Sequence, residues 1–191
     1  LQASVAPLPL ITLSGNTTFC QGDNLSLSAS GADTYAWYGP NNFSHNTSSF
    51  TLTNISINAT GFYSLTAIQG PCQVNTGTFV TVNALPQPTV NNSGPVCENG
   101  TVQFFTGSAA SYTWSGPHNF SSNQQNPVLN NVGTSAQGIY SLTVQDNNAC
   151  KGSSTSSLLV LLNPVPVVSG DSVCFGENAQ LSVSGGVSYL W

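Results

Sequence analysis

An all-β fold of small tandem domains is what the sequence predicts, on three observations. A repeat of 77 residues runs through the chain, apolar and polar residues alternate in short stretches, and cysteines recur in phase with the repeat. No stretch shows the sustained 3.6-residue periodicity and caps of an amphipathic helix.

The repeat is read from fixed intervals. Cys20, Cys97 and Cys174 are spaced by 77 and 77, as are Trp37, Trp114 and Trp191, and Tyr35, Tyr112 and Tyr189. Gly61/Gly138, Tyr63/Tyr140 and Leu65/Leu142 keep the same interval. Residues 20–67 laid on 97–144 without gaps give 18 identities in 48 positions. Cys72 and Cys150 lie 78 apart, so one residue is inserted before the second. Repeats of this length signal stacked supersecondary units.

Proline marks the boundaries. Pro7-Leu8-Pro9, Pro86-Gln87-Pro88 and Pro164-Val165-Pro166 recur once per repeat, and such pairs favour a stiff, extended backbone with few ladder donors. The expected domains are therefore 9–86 and 87–164, with 1–8 the closing strand of a preceding repeat and 165–191 a partial third repeat. A window that begins and ends inside a domain, with no Met and no signal-peptide pattern, reads as an interior segment.

Within each repeat the strands come in order. Leu25, Leu27 and Ala29 alternate with Ser26, Ser28 and Ser30, the period of a half-buried strand, and Val102, Phe104 and Thr106 hold the same phase. Tyr35 and Trp37 alternate in the next strand, before a Gly39-Pro40 turn. Tyr63, Leu65 and Ala67 match Tyr140, Leu142 and Val144. The last strand, Val80 and Val82 in one repeat and Leu158, Val160 and Leu162 in the other, runs into the proline joint. Six or seven short strands in about 77 residues point to a sandwich or small barrel.

Composition excludes several partners. The chain of 191 residues has one cation, Lys151, and 4% charged residues, against roughly 25% in an average domain. One cation cannot neutralise a phosphate backbone, so nucleic acid is excluded, and an anionic membrane surface is disfavoured. No apolar run is long enough to span a bilayer, so no membrane insertion is expected. Nine Phe, six Tyr and three Trp supply cores that a disordered polar chain lacks.

Five cysteines resolve once the repeat is imposed. The expected disulfides are Cys20–Cys72 and Cys97–Cys150, one within each domain, with the partner of Cys174 outside the sequence. Zinc is not expected, because no C-x-x-C occurs and the two His are out of register. Paired cysteines place the chain in an oxidising, extracellular setting, with no metal or cofactor apart from covalent glycans.

Gly61-Phe62-Tyr63-Ser64-Leu65 and Gly138-Ile139-Tyr140-Ser141-Leu142 resemble the F strand of immunoglobulin-like domains, whose corner tyrosine sits two residues before the usual second cysteine. Here Leu65 or Leu142 holds that cysteine's place. The pattern Cys … Tyr-x-Trp-x-Gly-Pro-x-x-Phe … Gly-x-Tyr-x-Leu-Thr … Cys is similar to the Ig-like or PKD-like repeats of large secreted bacterial surface proteins. The resemblance implies tandem immunoglobulin-like β-sandwiches in an extended extracellular stalk, adhesin or fibre, and it brings no catalytic residue with it.

Candidate sites are few. His45 aligns with Ser122 and His118 with Asn41, so neither His recurs, and both read as solvated loop residues; no catalytic set is expected. Asp146-Asn147-Asn148 is the nearest approach to a calcium loop and reads as a polar turn. The Tyr35/Trp37 and Tyr112/Trp114 pairs could stack on sugar, but Trp37, Trp114, Tyr63 and Tyr140 are assigned to the core. Asn-x-Ser/Thr triplets begin at Asn16, Asn24, Asn42, Asn46, Asn54, Asn58, Asn91, Asn99 and Asn119. Chance gives about five from 21 Asn and 46 Ser plus Thr, against these nine. Only Asn42 and Asn119 sit at equivalent positions, so they lead as glycosylation sites. A weakly charged surface tends to self-associate unless glycans hydrate it. The expected function is a structural segment of an extracellular fibre whose partners are neighbouring copies or repeats of the array. The alternative is an adhesin or carbohydrate-binding array on a bacterial surface.

Overall fold

The computed structural model describes residues 7–190, so most of the strand expected at 1–8 lies outside the described residues, as does Trp191. The first repeat contains strands β1 (Thr12–Ser14), β2 (Thr18–Cys20), β3 (Leu25–Ser30), β4 (Thr34–Gly39), β5 (Phe43–His45), β6 (Ser49–Leu52), β7 (Gly61–Gln69) and β8 (Cys72–Asn83). They form two sheets, ordered β1-β3-β6 and β2-β8-β7-β4-β5. β2 runs parallel to β8, and the other pairs are antiparallel.

The alternation in the sequence decides which face is buried. In β3 Leu25, Leu27 and Ala29 point inward while Ser26 bonds Thr51 and Ser28 bonds Ser14 on the outer face. In β4 and β7 Trp37 stands opposite Leu65, and both are buried.

The second repeat holds β9 (Val90–Asn92), β10 (Val96–Cys97), β11 (Val102–Thr106), β12 (Ser111–Gly116), β13 (Phe120–Ser122), β14 (Val128–Leu129), β15 (Gly138–Gln145), β16 (Lys151–Leu158) and β17 (Val160–Leu161). The pairing is the same: β9-β11-β14 on one side, β13-β12-β15-β16 on the other, with β10 parallel to β17. Leu158 and Val160 are buried, but Leu162 is 71% exposed, so the inward phase of the last strand stops short of the proline joint. Each described Pro-x-Pro lies outside any strand. After the third, β18 (Val167–Gly170) pairs antiparallel with β19 (Leu181–Ser184).

Backbone packing divides the chain into two compact units. One holds residues to Gln87 with Ala109–Ser111 and Thr143–Ser153, and the other holds Pro88–Ser108, Tyr112–Leu142 and the residues from Ser154 on.

Each core is built on an indole. Trp37 and Trp114 are both 0% exposed, and their ring N–H groups donate to Thr47 O at 3.1 Å and Gln124 O at 2.9 Å. A buried indole needs such an acceptor, and the two acceptors lie 77 residues apart. In the first core Phe50 of β6 packs edge-on against Trp37 at 5.4 Å and stacks on Tyr63 at 5.9 Å. In the second core Phe104 of β11 packs 5.3 Å from Trp114 and 4.5 Å from Tyr140. Leu27 and Phe50 are cross-strand partners, and the residues in their places are Phe104 and Pro127. The ring has thus moved to the neighbouring strand of the same sheet.

The spacing Gly-Pro … Gly-x-Tyr is a closed packing set. The Tyr63 hydroxyl donates to Ala59 O at 3.1 Å, and Tyr140 to Ala136 O at 2.8 Å. This tyrosine corner pins each F strand to the turn before it. A Cβ on Gly39 would stand 2.7 Å from the Tyr63 ring, and one on Gly116 2.5 Å from the Tyr140 ring. Gly61 at φ +152° and Gly138 at φ +144° in turn back onto the rings of Pro40 and Pro117, at 2.6 and 2.8 Å from an added Cβ. Four residues per repeat, two Gly, one Pro and one Tyr, therefore hold one another in place.

Candidate functional site

The strand topology rules out the disulfides expected from the sequence. Cys20 ends β2 and is paired with Asn83, the last residue of the 12-residue β8, whereas Cys72 is the first residue of that strand. At about 3.3 Å per residue the two lie roughly 36 Å apart along the sheet, and a disulfide needs Cα atoms within about 7 Å. The second repeat has the same geometry, since Cys97 pairs with Leu161 at the end of the β16–β17 edge and Cys150 immediately precedes its start at Lys151. Neither Cys20–Cys72 nor Cys97–Cys150 can form.

The bridge present joins Cys20 to Cys150, with Cα atoms 5.5 Å apart and a sequence separation of 130. It links the end of β2 in the first repeat to the β15–β16 hairpin of the second. Both ends are held by a carboxylate. Asp23 accepts the Cys20 N–H at 2.8 Å, and Asp146 accepts the N–H groups of Asn148 and Cys150 at 2.9 Å each. Asp146-Asn147-Asn148 is therefore a hairpin turn whose carboxylate serves its own backbone. The Cys150 side chain is fully buried. Two residues on, Gly152 backs directly onto the Pro86 carbonyl, where a Cβ would have no room. Cys97 remains an exposed thiol.

All nine Asn-x-Ser/Thr asparagines are exposed: Asn16, Asn24, Asn42, Asn46, Asn54, Asn58, Asn91, Asn99 and Asn119. Asn42 and Asn119 take left-handed backbone angles, φ +59° and +57°, at the tips of the β4–β5 and β12–β13 hairpins. The Asn24 side chain accepts the Asn54 N–H, so those two are tied to each other.

The outer face of the first repeat carries a feature the sequence reading missed. Phe62 and Phe79 stand opposite each other on β7 and β8, 57% and 56% exposed, with Tyr38 of β4 on the same face. The equivalent places in the second repeat hold Ile139, Ser157 and Ser115, so this face is not part of the repeated framework. Its signal lay in Phe62 and Phe79, which fall out of phase with the buried Tyr63 and Val80.

Titratable groups do not converge. Among the described residues no three His, Cys, Asp or Glu form a metal-binding group, and no helix is long and apolar enough to cross a membrane. His45 stacks on Phe43 at 6.3 Å, and His118 is exposed. Burial raises the hydroxyl pKa of Tyr63 and of Tyr140 above the ordinary 10.0.

No protein-family model matches the chain. Among solved structures, an I-band fragment of titin is similar over 94% of this chain and 77% of its own, at 14% identity and a TM-score of 0.48. Three N-terminal domains of the highly immunogenic outer capsid protein of bacteriophage RB49 match over 93% and 69%, at 16% identity and TM-score 0.45. Murine CEACAM1b matches over 80% and 100%, at 12% identity and TM-score 0.40. The fold itself is settled by the chain's own geometry: two facing sheets in this strand order, joined by a buried tryptophan and a tyrosine corner, are immunoglobulin-like.

Proposed function

We propose that the chain is a structural segment of an extracellular fibre or stalk, built from tandem immunoglobulin-like domains, glycosylated on its surface and without catalytic activity. The observation that carries this reading is the Cys20–Cys150 bridge. A disulfide that crosses from one 77-residue repeat to the next secures continuity along an array, and it serves no ligand site. It also fits an oxidising compartment outside the cytosol. Stiff Pro-x-Pro joints and the near absence of charge support the same reading, since neighbouring copies meet with little long-range repulsion. Nine exposed Asn-x-Ser/Thr sites offer places for hydrating glycans. Electron microscopy of the native material tests the proposal: filaments with an axial repeat of one domain, about 35 Å, are the expected result. Isolated globular particles would refute it.

A second reading, an adhesin that binds carbohydrate, is favoured by one observation, the exposed Tyr38, Phe62 and Phe79 face. Flat aromatic faces surrounded by uncharged polar groups suit sugar rings. Glycan-array binding that is lost in a Phe62→Ser, Phe79→Ser double variant would support this reading.

A further inference from the structure

We propose that Cys97 forms the next rung of a staggered disulfide ladder, bonding the hairpin cysteine of the repeat that residues 165–190 open. The inference rests on the tandem-array reading above and on the observed bridge.

Cys97 occupies in the second repeat the place that Cys20 occupies in the first. Each ends a short edge strand that runs parallel to the terminal strand of its domain, Cys20 beside Asn83 and Cys97 beside Leu161. The next residue is tied to that strand in both cases, Gln21 N–H to Asn83 O at 2.8 Å and Glu98 N–H to Leu161 O at 2.9 Å. The turn then closes identically, Asp23 N–H on Cys20 O at 3.1 Å and Gly100 N–H on Cys97 O at 3.0 Å. Its third residue is left-handed in both, Gly22 at φ +93° and Asn99 at φ +65°. A proline joint follows three residues after Asn83 and three after Leu161.

Cys20 reaches forward, to the hairpin cysteine of the repeat after its own. The same step from Cys97 leads to the repeat introduced by Pro164-Val165-Pro166. Strands β18 and β19 of that repeat pair antiparallel, as β1 pairs with β3 and β9 with β11, and Cys174 keeps the 77-residue interval. Its hairpin cysteine is expected about 130 residues beyond Cys97, the separation seen in the existing bridge. The exposed Cys97 thiol is open to such a partner. In the closing step both S–H bonds break and one S–S bond forms. Two electrons and two protons pass to a disulfide-class oxidant, which leaves as a dithiol.

The test is disulfide mapping of the full-length native protein. Thiols are alkylated without reduction, and the protein is then digested and read by mass spectrometry. The expected result is one linked peptide pair containing Cys20 and Cys150, and a second joining Cys97 to a cysteine outside residues 1–191. In a Cys97→Ser variant that outside cysteine should become newly alkylatable. Alkylated Cys97 in the native protein, or Cys97 linked to Cys150, would overturn the ladder. Filaments seen by microscopy together with an alkylated Cys97 would leave the array standing and remove only the rung.

Discussion

Removing a single oxygen from the tyrosine corner should be felt in two separate measurements. In Tyr140→Phe the ring and its contacts with Gly116 and Phe104 remain, while the 2.8 Å bond to Ala136 O is lost. Loss of one partner of this part-buried hydrogen bond costs about 1–2 kcal/mol, and in a domain of this size that lowers Tm by about 4–8 °C per kcal/mol. The second measurement is pH. Burial raises the folded-state pKa of Tyr140, so the unfolded chain ionises first. The contribution is fully present below about pH 10 and declines as pH climbs through the raised folded value. Urea unfolding followed by indole fluorescence should therefore show wild-type stability falling on the alkaline side, and less steeply in Tyr140→Phe. A variant as stable as wild type, or one with an unchanged alkaline slope, would refute the assignment of the corner as a stabilising contact.

Other substitutions test the packing set and the surface. Trp114→Ala should destabilise its domain by about 3–5 kcal/mol, measured by the same unfolding assay. Gly116→Ala drives a methyl into the Tyr140 ring and should cost about 1–3 kcal/mol, whereas Gly107→Ala, where an added Cβ meets nothing within 4 Å, should be close to neutral. Intact mass of the native segment should exceed the 19.8 kDa of the bare polypeptide, with sugar found on Asn42 and Asn119; a mass equal to the bare chain would exclude glycosylation.

Much of the framework was legible because strands of a half-buried sheet write their phase directly into the sequence. Leu25-Ser26-Leu27-Ser28 could only face one way, and the recurrence of Tyr63 and Trp37 at 77 residues marks the second core in the sequence itself. Cysteine connectivity was not legible. The repeat shows that Cys20 recurs as Cys97 and Cys72 as Cys150, but recurrence says nothing about which pole of the sandwich each occupies. That depends on β2 running parallel to β8, a long-range pairing with no local signature. The exposed Phe62 and Phe79 were hidden for a different reason: the phase of Tyr63 and Val80 turns both rings outward, but that the two meet on the outer face depends on the β7–β8 register, which has no local signature.

The Cys20–Cys150 bond also decides how the chain responds to being pulled. Tension applied at the two ends follows covalent bonds, entering at Cys20, crossing the sulfurs and leaving at Cys150. The loop between them carries none of it. The bypassed separation of 130 residues corresponds to about 450 Å of extended backbone at 3.3–3.6 Å per residue. While the bond is intact, the sandwich core around Trp37 can unfold without lengthening the chain, and extension comes only from the segments outside the loop. Single-molecule pulling before and after reduction should differ by about that length. Equal contour lengths in the two conditions would show that the load takes another path.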